Sequence, residues 1–441
     1  MTQHQTETQH QSETPDQADP QQSAEAQGQT PSSELLGRYG RSYTGMFGPP
    51  KLALVKGRGC RVWDADGRAY LDLLGGIAVN AIGHAHPRWA AAVADQAATL
   101  SHVSNFFATP PQIALAERLI RLAGLPEGSA AFLVNSGAEA NEAAFKLARL
   151  HAAAANARDG GARTEVVVFE GAFHGRTMGA LALTSKEAYR APFEPLPGGV
   201  RRIPYGDAEA ARAAIGPATA AVVVEPVQGE AGVVPPPEGW LRLLRELTRD
   251  AGALLIADEV QTGIGRTGRW LASEGVEPDA VTLAKGLGGG FPVGALLTRG
   301  PEVSRLFSPG GHGTTFGGNA LAARAALETL AVIEEEGLLE AAEARGAQLE
   351  AGLDALPEIG AVRRAGLLLG ADLSEAALAE GLTAPDVVRS AQERGFLLNA
   401  TSGSTLRLAP PLVLAEAEAA EFIHAMPEIL SGARKGQPDH D

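Results

Sequence analysis

The chain has 441 residues, 45% of them hydrophobic, which is enough for two ordinary domains or one large one with an appendage. A formal net charge of −15 argues against general affinity for nucleic acid or an anionic membrane, although local arginines can still hold a small anion. Cys60 is the single cysteine, so no intrachain disulfide can form. With no membrane-length apolar run and no signal or transit pattern at the N-terminus, a cytoplasmic protein is expected.

Residues 1–30 are rich in Gln, Thr, Glu and Pro, with no Lys or Arg and no large apolar residue except Met1. Such a stretch cannot bury a core, and a disordered tail is expected. Folding starts near Leu35, and short alternating runs around the turn signal Asp64-Ala-Asp-Gly67 predict a small β-meander over 52–74. Gly83-His-Ala-His-Pro87 places two histidines one residue apart. Without a further ligand cluster nearby this reads as a loop, and no metal site is expected. Helices are predicted after Pro87, which suits a first helical position, and over 111–123.

Strands and helices then alternate. Strands are predicted at 131–134, 165–170, 220–225, 254–258, 281–284 and 294–298, with a helix over 141–155. This pattern gives a mainly parallel sheet covered by helices. From Asn319 one long helix runs to about Glu336, followed by a mixture of helices and short strands to Leu430. Four segments are expected: a tail over 1–30, an N-terminal contribution to a small domain over 31–75, a large domain over 76–325, and a smaller α+β domain over 326–441.

Two of the apolar runs end on a charge. Ala253-Leu-Leu-Ile-Ala-Asp258 and Ala280-Val-Thr-Leu-Ala-Lys285 would deliver Asp258 and Lys285 to the strand-end edge where open α/β sheets bind ligands. A lysine amine can condense with an aldehyde cofactor, and an aspartate can hold a protonated pyridine nitrogen, which is the pair that pyridoxal phosphate requires. Other readings fit less well. An acidic strand of a P-loop ATPase needs a Gly-Lys-Ser/Thr loop, and the chain contains no Gly-Lys dipeptide. Gly263-Ile-Gly-Arg-Thr-Gly268 matches a dinucleotide fingerprint, yet five residues separate it from the apolar run. A structural ion pair between Asp258 and Lys285 is the third alternative.

Other segments supply what such a cofactor needs. Ser136-Gly-Ala-Glu139 is a capping box after a strand, and its small residues would let a phosphate approach the first helical amides. Phe173 in Phe173-His-Gly-Arg176 could stack on a pyridine ring, and Arg176 and Arg407 could clamp carboxylates.

Together Asn135-Ser-Gly-Ala-Glu-Ala-Asn141, Phe173-His-Gly-Arg-Thr177, Glu225-Pro-Val-Gln-Gly-Glu230, Asp258-Glu-Val-Gln-Thr-Gly263, Leu283-Ala-Lys-Gly286 and His312-Gly-Thr-Thr-Phe-Gly-Gly-Asn319 strongly resemble the class III aminotransferases, in the family's order, from about residue 35 to 430. The resemblance implies a fold-type I enzyme with a mainly parallel seven-stranded sheet, a smaller α+β domain, pyridoxal phosphate as cofactor, and a homodimer with active sites at the subunit interface. By motif position, Lys285 would hold the cofactor covalently and carry protons, and Asp258 would pair with the ring nitrogen. Val260 would pack on the ring face opposite Phe173, and Gln261 would bond the ring hydroxyl. Gly137 and Ala138 would hold the phosphate, joined by Thr315 from the partner subunit. Arg176 would take the substrate α-carboxylate, with Thr314 near the substrate's other end. Arg407 would take a carboxylate of glutamate or 2-oxoglutarate, and Glu230 would neutralise Arg407 when the other amine donor is bound.

The reaction implied is transfer of the terminal amine of an Nα-acylated ornithine to 2-oxoglutarate. A lysine-type substrate on a small carrier protein, or free ornithine, are the alternatives within the family; a nicotinamide-dependent oxidoreductase is the alternative outside it. Ile77 favours an acylated nitrogen, because ornithine-specific members carry a tyrosine there and isoleucine offers a charged ammonium no partner.

Overall fold

A computed structural model of the chain describes residues 30–435. The tail expected to be disordered therefore lies, apart from Thr30, outside the described residues. The chain divides into two compact units, Met1–Lys56 with Val62–Ala69, and Gly57–Arg61 with Tyr70–Asp441. In the first, Thr30 caps the helix Pro31–Ser42. Its hydroxyl accepts from the Ser33 amide at 3.3 Å and donates to Asp66 at 3.0 Å. The expected short strands are present as β1 (Leu54–Arg58), β2 (Arg61–Asp64) and β3 (Ala69–Asp72).

The larger unit is built on a seven-stranded sheet: β4 (Ala130–Val134), β5 (Glu165–Phe169), β6 (Val200–Ile203), β7 (Thr219–Val224), β8 (Leu254–Asp258), β9 (Ala280–Leu283) and β10 (Gly294–Thr298), in the order β4-β10-β9-β8-β7-β5-β6. Pairing is parallel along β6-β5-β7-β8-β9, and β10 runs antiparallel to both its neighbours. Six strands match the sequence expectation. β6 does not, because it is an edge strand of sequence Val-Arg-Arg-Ile that pairs with β5 alone. Charged residues on an edge mask the strand signal.

The central strands are buried on both faces, so they read as continuous apolar runs. Val166, Val168, Ala221, Val223 and Ile256 point to the face covered by the helix Gly137–Asp159, through Ala143, Ala144, Leu147 and Ala148. The alternate residues Val167, Phe169, Val222, Val224 and Leu255 pack on Trp240 and Leu244 of the helix Trp240–Ala251. Alanines on the first helix let it lie close to the sheet, which fixes where its N-terminus meets the end of β4.

Asn319 caps the long helix Ala320–Glu335, accepting from the Ala322 amide at 2.9 Å. Beyond it the helix Leu338–Asp354 packs on an antiparallel sheet of β11 (Ile359–Ala365), β12 (Leu368–Leu373), β14 (Asn399–Ala400) and β15 (Thr405–Leu408), while β13 (Phe396–Leu397) pairs in parallel with β3 at Leu71 and Asp72. This is the smaller α+β layer, and β15 carries Arg407. We propose the sequence boundaries at 75/76 and 325/326 as the division between the large and small lobes.

Gly346 lies inside the helix Leu338–Asp354, where alanine would ordinarily gain about 1 kcal/mol. A Cβ there would stand 1.9 Å from the Gly366 carbonyl oxygen, and a backbone atom cannot rotate away. Gly346→Ala should therefore destabilise the protein by roughly 1–3 kcal/mol. Thermal melting checks this; a raised or unchanged Tm would show that the helix and the turn at Gly366 do not touch so closely.

Candidate active site

The site lies at the strand ends, around the point where the sheet order reverses between β5 and β7. A cavity of about 440 Å³ is lined there by Gly137, Ala138, Phe173, Arg176, Asp258, Val260, Gln261 and Lys285, together with Asn141, His174 and Glu225. Eight residues singled out from the sequence thus share one cavity.

Asp258 ends β8 and is 2% exposed. A buried carboxylate must find donors, and this one has four. Oδ2 accepts from Asn141 Nδ2 and lies against His174 Nδ1, each at 2.7 Å. Oδ1 accepts from the Val260 amide at 3.0 Å and the Thr282 hydroxyl at 3.3 Å. Burial disfavours a charged His174, but the hydrogen bond and charge of Asp258 outweigh it and raise the imidazole above its ordinary value. The sequence reading placed Asn141 and His174 in motifs without giving them work. Their helix and loop positions revealed nothing of a shared carboxylate 84 and 117 residues away.

Lys285 follows β9 and sits at φ 40°, a left-handed conformation unusual for lysine. Burial is the main cause that pushes its ammonium down, to about 8, with Arg407 assisting and Glu230 opposing. Near neutral pH more of this amine is therefore free to attack or to carry a proton than in an exposed lysine. Asp258 is engaged with His174, not with Lys285, so the structural ion-pair reading fails.

Ser136 caps the helix Gly137–Asp159, accepting from the Glu139 amide at 3.2 Å. Glu139 departs from the capping-box expectation. Its carboxylate reaches past the cap to the Asn135 amide at 2.9 Å and the Asn135 side chain at 2.8 Å. Gly137 and Ala138 line the cavity at the N-terminus of this helix, where first-turn amides have no intrahelical acceptor and phosphate can bind. A Cβ on Gly137 would stand 2.6 Å from Val260 Cγ1, so glycine is required for Val260 to form the cavity wall.

Arg407 is 1% exposed and pairs through Nη1 with Glu230. Its Nε donates to Asn399 Oδ1 at 3.2 Å, and Nη1 also reaches the Gly229 carbonyl at 3.4 Å and Gln261 Oε1 at 3.5 Å. Burial raises the Glu230 carboxyl, but Arg407 outweighs it and holds the group below its usual range. Arg176 is exposed at the cavity rim, stacked 3.6 Å from the centre of the Tyr189 ring.

Four expected residues do not line the cavity of a single chain: Arg407 and Glu230, paired behind Gln261, and Thr314 and Thr315. Thr314 accepts from Asn135 Nδ2 at 3.1 Å beside it, and Thr315 is exposed. Ile77, read as an apolar wall, is 38% exposed at φ 66° and also outside the lining. Gly263–Gly268 forms turns with no following helix, so it lacks the helix that a dinucleotide fingerprint needs. His84 and His86 face Asp72 at 2.8 Å and Glu336 at 3.2 Å respectively. Among the described residues no helix is long and apolar enough to cross a membrane.

The residues present fit pyridoxal phosphate: helix amides and small residues for the phosphate, a buried oriented carboxylate for the ring nitrogen, Val260 and Phe173 for the ring, and a depressed lysine for the aldehyde. The comparisons agree. The family model described as aminotransferase class-III matches residues 45–430. An acetylornithine aminotransferase of Mycobacterium tuberculosis is 49% identical over 389 residues, covering 88% of this chain and 94% of the relative. The solved ornithine aminotransferase of Toxoplasma gondii ME49 superposes with a TM-score of 0.85 at 32% identity, over 96% of this chain and all of that one. The solved N-acetylornithine aminotransferase of Stenotrophomonas maltophilia gives 0.76 at 35% identity, over 89% and 99%.

Asn141→Leu removes one of the two partners of Asp258 Oδ2 without adding charge. The penalty for an under-satisfied buried carboxylate is about 1–3 kcal/mol. The variant should melt lower by that amount and bind pyridoxal phosphate more weakly. Wild-type melting and cofactor affinity would show that Asn141 does not hold the carboxylate.

Proposed function

The chain belongs to the class III aminotransferases, and on that premise we propose that it transfers the terminal amine of N2-acetylornithine to 2-oxoglutarate, giving N-acetylglutamate 5-semialdehyde and glutamate, the acetylornithine aminotransferase reaction of arginine biosynthesis. The observation that carries the transaminase geometry is the cavity lined by buried Asp258 and depressed Lys285, with the covered Arg407 behind its wall residue Gln261. Similarity to acetylornithine aminotransferases at 49% identity supports the donor. The higher TM-score of an ornithine aminotransferase does not weigh against it, because a shared fold leaves the substrate open.

Bound pyridoxal phosphate supplies an aldehyde to capture the amine and a protonated ring to withdraw electrons. In our reading Gly137 and Ala138 bind the phosphate and Val260 and Phe173 sandwich the ring. Gln261 bonds the ring hydroxyl. Asp258, fixed by Asn141 and His174, keeps a proton on the ring nitrogen. Lys285 would hold the aldehyde and, as a neutral amine, would carry the proton. Arg176 orients the donor's α-carboxylate, with Thr314 near the donor's other end. Arg407 receives the second carboxylate of 2-oxoglutarate after Glu230 withdraws, which lets one site serve both halves of a ping-pong cycle.

The active form in this reading is a homodimer in which the partner subunit's Thr315 completes the phosphate site. Phe106 is 93% exposed and Phe107, Phe316 and Ile113 are exposed too; apolar exposure on that scale supports burial against a second copy. A carrier-linked lysine substrate remains the second reading, since its α-nitrogen is also acylated.

The test compares specificity constants for N-acetylornithine, free ornithine and a carrier-linked lysine, each with 2-oxoglutarate. Preference for N-acetylornithine is expected. Preference for free ornithine would overturn the substrate assignment, and preference for the carrier-linked lysine would move the chain to lysine biosynthesis.

A further inference from the structure

Glu225 follows β7 and is 6% exposed in the cavity wall. No catalytic step above uses it. Its two oxygens serve different segments. Oε1 accepts from the Phe173 amide at 2.6 Å, and Oε2 accepts from the Gly229 amide at 3.2 Å. The Tyr205 hydroxyl fixes the main chain beneath, donating to the carbonyls of Glu225 at 3.0 Å and Pro226 at 3.1 Å. Gly229 immediately precedes Glu230, and its carbonyl accepts from Arg407 at 3.4 Å. Glu225 and Arg407 therefore both hold Gly229, one through its amide and the other through its carbonyl, directly before Glu230.

We propose that Glu225 is a positioning residue that ties the ring-stacking segment at Phe173 to the Gly229-Glu230 segment covering Arg407, and so biases which of the two substrates the site accepts. The inference rests on the transaminase reading, in which Phe173 faces the ring and Glu230 covers Arg407. An ionised carboxylate accepts at both oxygens at once. A protonated one presents a donor to one of two N–H donors and loses that link. Glu230 must leave Arg407 when 2-oxoglutarate binds and return when the amine donor binds. An anchored Gly229 gives that movement a fixed pivot.

Burial, reinforced by Asp258 and opposed by His174, pushes Glu225 up to about 7. The other titratable groups facing it are Lys285, which its charge raises, and Tyr205, which burial and Glu225 both raise. Because the carboxyl is raised, the doubly accepting form is present above about 7 and lost as pH falls through that value.

The test uses holoenzyme and single-turnover half-reactions. Glu225→Gln keeps the shape but offers one carbonyl oxygen, with an NH2 against the other donor. At pH 8 it should raise the apparent dissociation constant of the amine donor roughly tenfold while leaving that of 2-oxoglutarate unchanged. Wild type should show the same loss of donor affinity between pH 8 and 6, and the variant should lack that pH-dependent component. In a Glu230→Ala background Glu225→Gln should add nothing. Equal damage to both half-reactions, or a lowered Tm with wild-type half-reaction ratios, would reduce Glu225 to a structural role and overturn the proposal. The wild-type pH profile needs no variant, so misfolding cannot mask the result. Failure of the underlying reading is separable: Glu230→Ala or Arg407→Ala alone would then leave the ratio of the two half-reactions unchanged.

Discussion

The structure depends on one buried carboxylate. Asp258 stands at the end of a strand whose five residues are all buried, where an ionised group survives only if the fold supplies donors. Those donors come from four places: Asn141 on the helix after β4, His174 in the loop after β5, Thr282 in β9, and the main chain at Val260. Each is set by sheet order and helix packing. The alanine face of the helix Gly137–Asp159 lets it lie against the sheet, and the same placement puts Gly137 and Ala138 at the cavity and brings Asn141 to Asp258.

Around that carboxylate the protein separates the acid–base properties of its neighbours. Burial drives Lys285 down to about 8 and Glu225 up to about 7, whereas Arg407 holds Glu230 below its usual range. The same desolvation thus acts on opposite charges, and the local partner decides the outcome for each group. Arg407 is nearly fully buried, so removing its charge partner would leave an expensive lone cation. In the proposed reading a substrate carboxylate that replaces Glu230 would supply an equivalent partner, which would make the pair exchangeable.

Much of this was legible in the sequence. Asp258 and Lys285 could be read because each terminates an apolar run, and a strand buried on both faces leaves that signature. The long helix after Asn319 could be read because its apolar residues keep helical spacing. β6 could not, because its two arginines break the pattern. The reach of Glu139 to Asn135 was missed because a capping box does not fix which preceding amide is taken. The roles of Asn141, His174 and Glu225 depend on contacts between distant segments, which no local pattern encodes. Ile77 has a left-handed backbone and does not line the cavity of one chain.

The central claim is that the charge of Asp258, held by this network, keeps the cofactor ring protonated while Lys285 moves the proton. Asp258→Asn removes the charge and keeps the shape. The most direct measurement is the single-turnover rate of the variant with the amine donor, alongside its dissociation constant for that donor. The rate should fall by about 100-fold or more, as for other proton-handling groups, with the dissociation constant within a few-fold of wild type. A variant that turns over at the wild-type rate would contradict the account.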